Sequence, residues 1–309
     1  MTAEKKVELD ERLKDKVIVI TGASSGFGRG AALEFARNGA HLALAARRED
    51  LLNEVVEKCR QLGTVAIGIT ADVSKTEDID RLHKETMAKF GHIDVWINNA
   101  AGSVIGRFTE VPFAEHAQVI QTDLIGLMYG SYLAMKEFEN QGYGNLINVA
   151  SIIGKIPAPY YPSYAAAKHG VVGFNGALRQ ELSAQKETAI TVCTLMPMAM
   201  DTPFFEHAAN YTGHKAVPVP PLDDADKVVA AMVKLAVEPE DEVAVGTGGN
   251  SNILMHNLVP GVSEAMMATL THQAQMEKAP PEAPSPGSLR EPSATGRGVK
   301  DAELAKKVK

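Results

Sequence analysis

The sequence predicts an α/β fold, namely a doubly wound parallel sheet in a single domain with a C-terminal extension. Short apolar runs rich in β-branched residues alternate with longer segments of helical periodicity, a pattern typical of βαβ units with helices on both faces of the sheet. A glycine-rich turn follows the first of these runs. The chain has 309 residues, of which 45% are apolar and 22% charged, enough for one domain of about 250 residues with extensions.

The first apolar run, residues 16–20, reads Lys-Val-Ile-Val-Ile and predicts a buried strand. The helix predicted over residues 28–38 should end near Gly39, because glycine readily adopts the left-handed conformation that closes a helix. The same alternation continues along the chain. The other predicted strands are 41–46, 64–70, 93–97, 145–150 and 189–195, and the other predicted helices are 49–62, 77–90 and roughly 160–183.

The composition along the chain predicts four parts. Residues 1–15 form a polar N-terminal extension, residues 16–250 the α/β domain, residues 251–277 a C-terminal helical segment and residues 278–309 a Pro/Gly-rich extended tail. The tail holds five of the 16 prolines, and its seven basic and four acidic residues give it a charge of +3. We expect a mobile or draped tail that is solvated, although its charge could dock it onto the acidic domain.

Charge and cysteine content exclude several classes of protein. The net charge of −7 argues against a nucleic-acid partner. Cys59 and Cys193 are too few for a disulfide framework, so we expect a reducing, cytoplasmic location. The N-terminus lacks the apolar core of a secretory signal, and the longest uncharged apolar stretch, residues 124–135, is too short to cross a bilayer. We therefore expect no membrane span.

The glycine-rich turn reads Thr-Gly-Ala-Ser-Ser-Gly-Phe-Gly over residues 21–28, between the first strand and the first helix. Glycines allow backbone N–H groups to approach a pyrophosphate, and the helix N-terminus adds about half a positive charge. In this context a dinucleotide site is a better interpretation than a simple tight turn. The residues of the turn expected to contact the dinucleotide are Gly22, Ser24, Ser25, Gly26, Phe27 and Gly28.

The same turn also fits the G-x-S-x-G nucleophile elbow of serine hydrolases, with Ser24 as the nucleophile. A hydrolase elbow normally follows several strands, whereas this turn follows the first. The hydrolase is kept as an unfavoured alternative.

The second predicted strand ends in Ala45-Ala46-Arg47-Arg48. A carboxylate at this point normally holds the ribose 2′-hydroxyl of NAD, and here none is available to repel a 2′-phosphate. Arg47 offers a planar cationic fork suited to phosphate, and Arg48 either assists it or only starts the next helix. The sequence therefore predicts NADP as the cofactor. After the third strand, Asp72 and Val73 could contact the adenine, or Asp72 could cap the next helix.

A set of acid–base side chains follows in the second half of the domain. Tyr164 and Lys168 are four residues apart on a predicted helix and share one face. We expect the ammonium group to favour the phenolate and lower the pKa of Tyr164. Ser151 directly follows the strand 145–150, where its hydroxyl could face the same crevice. A Tyr–Lys pair alone is common on helices, but its combination with a serine at a strand end and an upstream glycine turn is far rarer and therefore more informative.

With these motifs, residues 16–246 resemble a classical short-chain dehydrogenase/reductase, about three-quarters of the chain. The resemblance rests on the glycine turn, Asp72-Val73, Asn98-Asn-Ala, Ser151 and Tyr164-x-x-x-Lys168. It implies a Rossmann fold and hydride transfer between NADP(H) and a carbonyl or alcohol. By this resemblance Tyr164 is the general acid and base, Ser151 holds the substrate oxygen, and Lys168 binds the nicotinamide ribose. Asn98 is expected to contact the cofactor and to steady the central sheet. The further cofactor contacts that the resemblance implies are Asn99, Ala100, Pro197 and Thr202.

The chain departs from the family pattern at three places. Ala101 is an extra residue before the glycine of the Asn-Asn-Ala-Gly motif, and Met198 replaces the glycine after Pro197. Asp123 stands where the family has a catalytic Asn, which works mainly through its main-chain carbonyl in a proton relay to the lysine. We expect Asp123 to keep this role and, by adding negative charge near Lys168, to alter the pH profile.

The expected substrate pocket is mostly apolar, which favours a hydrophobic ketone or ring alcohol. Residues 202–221 are expected to form a lid over it. We expect no catalytic metal, because His41, His169 and His207 stand apart from other ligand residues. The candidate lining residues are Ser103, Val104, Ile152, Ile153, Pro159, Tyr160, Tyr161, Met196, Met198, Phe204 and Phe205.

The leading interpretation is an NADP(H)-dependent ketone reductase or alcohol dehydrogenase acting on a small molecule. An NADP-binding regulatory or scaffold protein with weak turnover is the main alternative, motivated by Asp123, Ala101 and Met198. The resemblance also implies a homo-oligomer, a dimer or tetramer, formed through the helices that contain Asp123 and Tyr164.

Overall fold

Seven parallel strands form the central sheet of the chain. The computed structural model describes residues 10–300, so residues 1–9 of the expected N-terminal extension and residues 301–309 of the tail lie outside the described residues. The strands are β1 Val17–Thr21, β2 His41–Ala46, β3 Ala66–Thr70, β4 Val95–Asn98, β5 Val104–Ile105, β6 Gly144–Val149, β7 Ile190–Pro197, β8 Met200–Asp201, β9 Ala209–Asn210, β10 Asp223–Asp224 and β11 Glu242–Val245. The order in the central sheet is β11-β7-β6-β4-β1-β2-β3.

Helices cover both faces of this sheet. They are α1 Gly26–Arg37, α2 Glu49–Gln61, α3 Thr76–Phe90, α4 Phe113–Ile120, α5 Leu127–Gln141, α6 Pro162–Gln185, α7 Phe204–His207, α8 Asp226–Val237, α9 Gly249–Leu258 and α10 Pro260–His272. A π-helical turn, Gln121–Gly126, joins α4 to α5.

The two faces of the sheet bury separate apolar layers, because successive side chains of a strand point to opposite faces. In β1, Ile18 and Ile20 pack into the layer that contains Phe35 of α1. Val19, between them, packs into the layer that contains Trp96 and Phe138. This arrangement confirms the predicted doubly wound parallel sheet.

The strand order reverses between β1 and β4. From β1 the chain proceeds outward through β2 to β3, and it then crosses back to place β4 on the other side of β1. At such a switch point the loops that follow the two strands diverge and leave a crevice at their carboxyl ends. The topology therefore places the glycine-rich turn and the loop after β4 on opposite walls of one crevice.

The six strands and four helices predicted from periodicity all occur, with ends within two residues of the predicted ones. The edge strand β11 and helix α8 were not assigned from the sequence. β11 is only four residues long and starts with an exposed glutamate, so it carries no distinct apolar run. In residues 10–300, no helix is both long and apolar enough to cross a membrane.

The tail differs from the expectation that it is solvated. Ser285 exchanges two backbone hydrogen bonds with Asn210, and Ser288 N–H donates to the carbonyl of His207. Leu289 is buried. We call residues 285–300 the strap, because they lie along the carboxyl edge of the sheet from the region of β9 to the start of α1. Backbone pairing with the residue 204–214 loop explains why a proline-rich segment is held without forming a helix or a long strand.

A buried amide network ties the middle of the sheet to the helices. Asn148 of β6 accepts a hydrogen bond from Asn98 Nδ2 at 2.8 Å and donates to Asn175 Oδ1 at 2.7 Å. Asn175 in turn donates to Thr194 Oγ1 of β7 at 2.9 Å. All four side chains are buried, so each amide has to find its partners inside the protein.

Replacing Asn148 by Ala should therefore lower the free energy of unfolding by about 2–4 kcal/mol, because it removes one hydrogen bond of Asn98 on β4 and leaves Asn175 Oδ1 on α6 buried without a partner. Urea denaturation of the purified protein measures this loss. The matched control is Asn140→Ala on the exposed face of α5, with an expected change of about 0.5 kcal/mol or less. Equal losses in the two variants would contradict the importance of the network.

Candidate active site

A cavity of about 360 Å³ lies at the carboxyl ends of the strands, in the crevice at the switch point. It runs from the end of β3, past the glycine-rich turn, to the start of α6. Nearly all the predicted cofactor residues face it. The predicted site residues that line this cavity are Gly22, Ser24, Ser25, Gly26, Phe27, Arg47, Arg48, Asp72, Val73, Asn99, Ala100, Ser151, Tyr164, Lys168, Pro197 and Thr202.

The glycine-rich turn is packed tightly against its own start and against the loop after β4. Gly22 has φ +70°, and a Cβ on it would lie 2.8 Å from Ala100 Cα. A Cβ on Gly28 would lie 2.3 Å from the Gly22 carbonyl oxygen. Only glycine fits at either position without moving backbone, so the turn keeps α1 with its N-terminus against the cavity.

The loop after β4 is held to the first strand by backbone N–H groups. Asn99 N–H and Ala100 N–H both donate to Thr21 Oγ1, at 3.0 and 3.1 Å. Asn98 was expected to contact the cofactor as well as steady the sheet. The structure places its side chain inside the sheet, where it bonds to Trp96, Ser131 and Asn148 and not to the cavity.

The acid–base side chains meet where β6 ends and α6 begins. Ser151 follows β6, its hydroxyl oxygen accepts the Ile153 N–H at 3.2 Å, and it lies on the same cavity wall as the Tyr164 phenol. Lys168 lies one turn further along α6, with Nζ 5.5 Å from the centroid of the Tyr164 ring. The ammonium group donates to the carbonyl of Val149 at 3.1 Å. The predicted trio is therefore brought together within one small region.

Asp123 forms a buried ion pair with Lys168. The Oδ2–Nζ distance is 3.2 Å, and the two side chains are only 0% and 1% exposed. The other carboxylate oxygen accepts the Gly102 N–H at 2.7 Å. Burial raises the pKa of Asp123, while the charge of Lys168 and the Gly102 hydrogen bond oppose that rise. The carboxylate thus contacts the lysine directly, and the π-helical turn at residues 121–126 carries it there.

The Tyr164 phenol differs from the expectation of a lowered pKa. Burial raises its pKa, the negative charge of Asp123 raises it further, and only the Ser151 hydrogen bond lowers it. The physical reason is that the ammonium of Lys168 is paired with a carboxylate, which cancels most of its field at the phenol. The pKa of Tyr164 is therefore raised, mainly by burial, and not lowered as the sequence predicted.

The arginines that follow β2 are held by the strap. Arg47 Nη1 donates to the carbonyl oxygens of Leu289 and Arg290, at 3.2 and 3.0 Å. Its Nη2 donates to the Ser288 carbonyl. The sequence assigned Arg47 to a phosphate, and in this structure backbone oxygens occupy its donors.

Arg48 makes a similar set of contacts. Its Nη2 donates to Ser25 Oγ at 2.8 Å, and burial lowers the pKa of its guanidinium. Its Nη1 donates to three carbonyl oxygens of the strap, those of Ser293, Thr295 and Gly296. Arg48 is thus more than the solvated start of α2.

Asp72 lines the cavity and also closes the turn before α3. Its Oδ1 accepts from Ser74 N–H at 3.0 Å and Ser74 Oγ at 2.8 Å. Val73 lies beside it on the cavity wall. Asp72 does not cap α3, because the N-cap residue of that helix is Lys75, so the capping interpretation is wrong and the contact with adenine stays a prediction.

The apolar end of the cavity differs in part from the predicted pocket. Seven predicted lining residues face it: Ser103, Ile152, Ile153, Tyr161, Met198, Phe204 and Phe205. Four do not, namely Val104, Pro159, Tyr160 and Met196. Met196 points into a core cluster from β7, Val104 is held in β5, and the Tyr160 hydroxyl bonds to His272.

Residues far along the chain complete this end. Sequence reasoning missed Met267, Leu270 and Thr271 of α10 and Leu289 of the strap. No motif marks them, because they reach the cavity only through the path of the C-terminal segment.

The remaining candidates form no second centre. Ser24 Oγ accepts from Arg48, and its hydrogen-bond partners in residues 10–300 include no histidine that could serve as a base. Among those residues, no group of three or more His, Cys, Asp or Glu side chains could hold a metal ion. The three histidines contact ordinary neighbours: His41 meets Thr64, His169 the Ala165 carbonyl and His207 the Thr295 carbonyl.

Known proteins resemble the chain in sequence and in fold. A sequence profile described as short chain dehydrogenase matches residues 16–211. Over 296 residues the chain is 32% identical to an uncharacterized oxidoreductase, YxnA, of Bacillus subtilis (strain 168), covering 94% of this chain and 81% of that protein. Over 188 residues it is 38% identical to 11-beta-hydroxysteroid dehydrogenase A of Arachis hypogaea, covering 60% of this chain and only 53% of that protein, about half its length.

A solved structure also matches. An alcohol dehydrogenase from the archaeon Thermococcus sibiricus, complexed with 5-hydroxy-NADP, has a TM-score of 0.65 and 26% identity, covering 74% of this chain and 95% of that chain.

The Asp123–Lys168 pair yields a stability prediction. Asp123→Leu should cost about 3–5 kcal/mol of unfolding free energy, because it leaves a buried ammonium without its counter-ion. The double variant Asp123→Leu/Lys168→Met should recover most of that loss, since both charges are then gone. Urea denaturation measures both.

The control for this prediction is Glu240→Ala, which breaks an exposed pair with Lys234 and should cost no more than about 1 kcal/mol. If the double variant is no more stable than Asp123→Leu alone, the loss comes from packing and not from the uncompensated charge.

Proposed function

Since the chain belongs to the short-chain dehydrogenase family, we propose that it interconverts an apolar ketone and its alcohol with NADP(H), using Tyr164 as the general acid and base. Membership in the family makes it an oxidoreductase that acts on CH–OH or C=O groups. What we propose beyond family membership is NADP(H) as the cofactor, Tyr164 as the acid and base, and an apolar ketone or alcohol as the substrate. The single observation that carries it is the meeting of Ser151, Tyr164 and Lys168 on the wall of one cavity.

The residues at this wall can hold a carbonyl oxygen and deliver a proton to it. The Ser151 hydroxyl donates to the substrate oxygen, and the Tyr164 phenol protonates that oxygen in reduction or accepts its proton in oxidation. Lys168, fixed by Val149 and Asp123, keeps a positive charge beside the phenol. A dinucleotide held in the cavity would supply the hydride in reduction or accept it in oxidation.

The cavity fits a dinucleotide on its own geometry. The glycine turn has no room for side chains at Gly22 and Gly28, which leaves backbone N–H groups and the N-terminus of α1 for a pyrophosphate. Val73 and Ala71 offer an apolar wall after β3, and Thr202 a hydroxyl after β7. These residues would hold the adenine, the pyrophosphate and the nicotinamide end of the cofactor.

Two observations support NADP over NAD. The end of β2 carries Arg47 and Arg48 and no carboxylate, so a 2′-phosphate meets two cations there. The related alcohol dehydrogenase of Thermococcus sibiricus was solved with 5-hydroxy-NADP. Titration of the purified protein with NADPH and NADH tests the preference directly, and tighter binding of NADH would contradict it.

An apolar substrate is supported by the other end of the cavity. Tyr161, Phe204, Leu270 and Leu289 line it together with Ile153, and such a lining favours burial of a hydrocarbon surface over a charged sugar. One relative is named an 11-beta-hydroxysteroid dehydrogenase. A bulky ring ketone or ring alcohol is therefore the first substrate class to screen.

Tyr164→Phe should reduce the turnover of NADPH with an apolar ketone by a factor of about a thousand, because the proton donor is lost. NADPH binding should change by no more than about twofold, since the aromatic ring stays in place. A ketone panel followed by NADPH absorbance measures turnover, and fluorescence titration measures binding.

The control is Tyr129→Phe, which removes a phenol bonded to Asp80 at the surface and should leave turnover unchanged. Retention of more than a tenth of the activity in Tyr164→Phe would remove Tyr164 from its proposed role. A protein that binds NADPH but turns over no ketone or alcohol would instead support the regulatory or scaffold alternative.

Asp123→Asn should move the pH dependence of alcohol oxidation. The negative charge of Asp123 raises the pKa of Tyr164, so its removal lowers that pKa and lets the phenolate form at lower pH. The pH at which the oxidation rate reaches half its maximum should fall by about one unit. A kcat–pH profile measures it, with Glu139→Gln on the exposed face of α5 as the control for charge loss. An unchanged or upward midpoint would contradict the effect.

A further inference from the structure

The strap crosses the cofactor cavity at the end where a 2′-phosphate is expected. Ser288, Leu289, Pro292 and Ser293 are part of the cavity wall. Arg47 and Arg48, which supply the positive charge at this end, donate seven hydrogen bonds to strap carbonyl groups. The strap therefore uses the same donors that the proposed function assigns to the cofactor.

The strap also reaches the start of α1. Gly298 carbonyl accepts the backbone N–H of Gly26 at 2.9 Å, and Val299 lies close enough to Gly30 that a Cβ there would meet it at 3.2 Å. Gly26 belongs to the turn that faces the cavity. One N–H group of the predicted phosphate-binding turn is thus already bonded to the strap.

Separate contacts anchor the strap near its middle and at its C-terminal end. Arg290 pairs with Glu115 of α4 at 3.2 Å and donates to the Ala114 carbonyl at 2.8 Å. Lys300 pairs with Asp224 and Asp226 at the start of α8, at 2.8 and 2.9 Å. Directly before Arg290, Leu289 is buried in the apolar cluster that contains Tyr164. The strap is a built part of the structure and not a loosely placed tail.

A guanidinium group has five N–H donors, and their geometry is planar and fixed. Arg48 Nη1 faces three carbonyl oxygens of the strap, and Arg47 uses both terminal nitrogens on it. A 2′-phosphate needs the same donors, in the bidentate contacts that arginine makes with phosphate. The two sets of contacts exclude each other, because the phosphate oxygens would have to take the positions of the carbonyl oxygens.

From this geometry we propose that the strap and the 2′-phosphate of the cofactor compete for Arg47 and Arg48, so that the strap must leave these arginines when NADP(H) binds. The inference rests on the proposed function for the identity of the phosphate. The strap then determines cofactor affinity and selectivity. While closed, it lowers affinity for nucleotides with a 2′-phosphate most strongly, and it bears less on NAD(H), which needs the Gly26 N–H group but makes no demand on the two arginines. The apparent association constant for such a nucleotide equals the association constant of the open form multiplied by the fraction of molecules in which the strap is open.

The test releases the strap in the full chain. The variant Arg290→Ala/Lys300→Ala removes both charged anchors while leaving every residue of the cavity's glycine turn and acid–base group intact. Its matched control is Arg37→Ala/Lys234→Ala, which removes the same charge from two surface ion pairs outside the cavity. Loss of positive charge alone should weaken the binding of a phosphate ligand, so tighter binding in the strap variant has no general electrostatic explanation.

Isothermal titration with NADPH, NADH and adenosine 2′,5′-bisphosphate gives the readout without turnover. We expect the strap variant to bind NADPH and the bisphosphate about threefold more tightly than the unchanged chain, and NADH within about 1.5-fold. Unchanged or weaker binding of the bisphosphate in the strap variant would overturn the proposal and make the strap part of the binding site or a bystander.

Hydrogen exchange of the full chain supplies a second measurement that needs no variant. Adding the bisphosphate should speed exchange at the amides of Ser288 and Gly287 and free the Gly26 amide from the strap, whereas slower exchange over the strap would contradict competition. If no nicotinamide nucleotide is turned over while the bisphosphate still displaces the strap, the proposed function fails and the competition stands. If NADPH is turned over and the strap does not respond, the competition fails alone.

Discussion

The ammonium group of Lys168 is buried, so its charge must be met by oxygen atoms inside the protein. Two groups meet it, the carbonyl of Val149 at the end of β6 and the carboxylate of Asp123 in the π-helical turn. These contacts draw α6, β6 and the residue 121–126 turn to one point. Tyr164 and Ser151 are then placed by that junction, because one lies a turn earlier on α6 and the other directly after β6. The geometry of the candidate site depends on satisfying one buried charge.

The same pair sets the electrostatic state of the phenol. A lone ammonium one helical turn away would favour the phenolate, but an ammonium with its own carboxylate acts on the phenol as a dipole of much weaker field. Burial then dominates and raises the pKa of the Tyr164 phenol, so the charge around Lys168 decides how far that rise is opposed.

Local patterns in the sequence predicted the parts of this structure that local physics determines. β-Branched runs marked the central strands, and the Tyr164–Lys168 spacing placed two side chains on one face of α6. The sequence predicted that the charge of Asp123 lies near Lys168 but not that the two side chains are in contact. The π-helical turn that places the carboxylate against the lysine has no sequence signature. Leu289 and Leu270 could not be assigned to the cavity, because contacts between segments so far apart in the chain leave no periodicity. The sign of the Tyr164 pKa shift was missed for the same reason: it depends on burial that only the assembled fold creates.

The two arginines after β2 show that a sequence motif can indicate a need for oxygen acceptors without indicating which group supplies them. Clustered guanidinium groups without a neighbouring carboxylate need several oxygen acceptors, and burial makes that need stronger. A phosphate group supplies these acceptors as charged oxygen atoms, and a segment of extended backbone supplies them as a row of carbonyl oxygen atoms. The strap does the latter, and its prolines help because they hold the chain extended without making it part of a sheet. Neutral carbonyl groups satisfy the arginines less strongly than a dianion does, yet they are attached to the same chain and therefore present at high effective concentration. A ligand within the same chain can keep the two arginines occupied while the concentration of NADP(H) is low. It can still be displaced when NADP(H) binds, as the proposed competition for Arg47 and Arg48 requires.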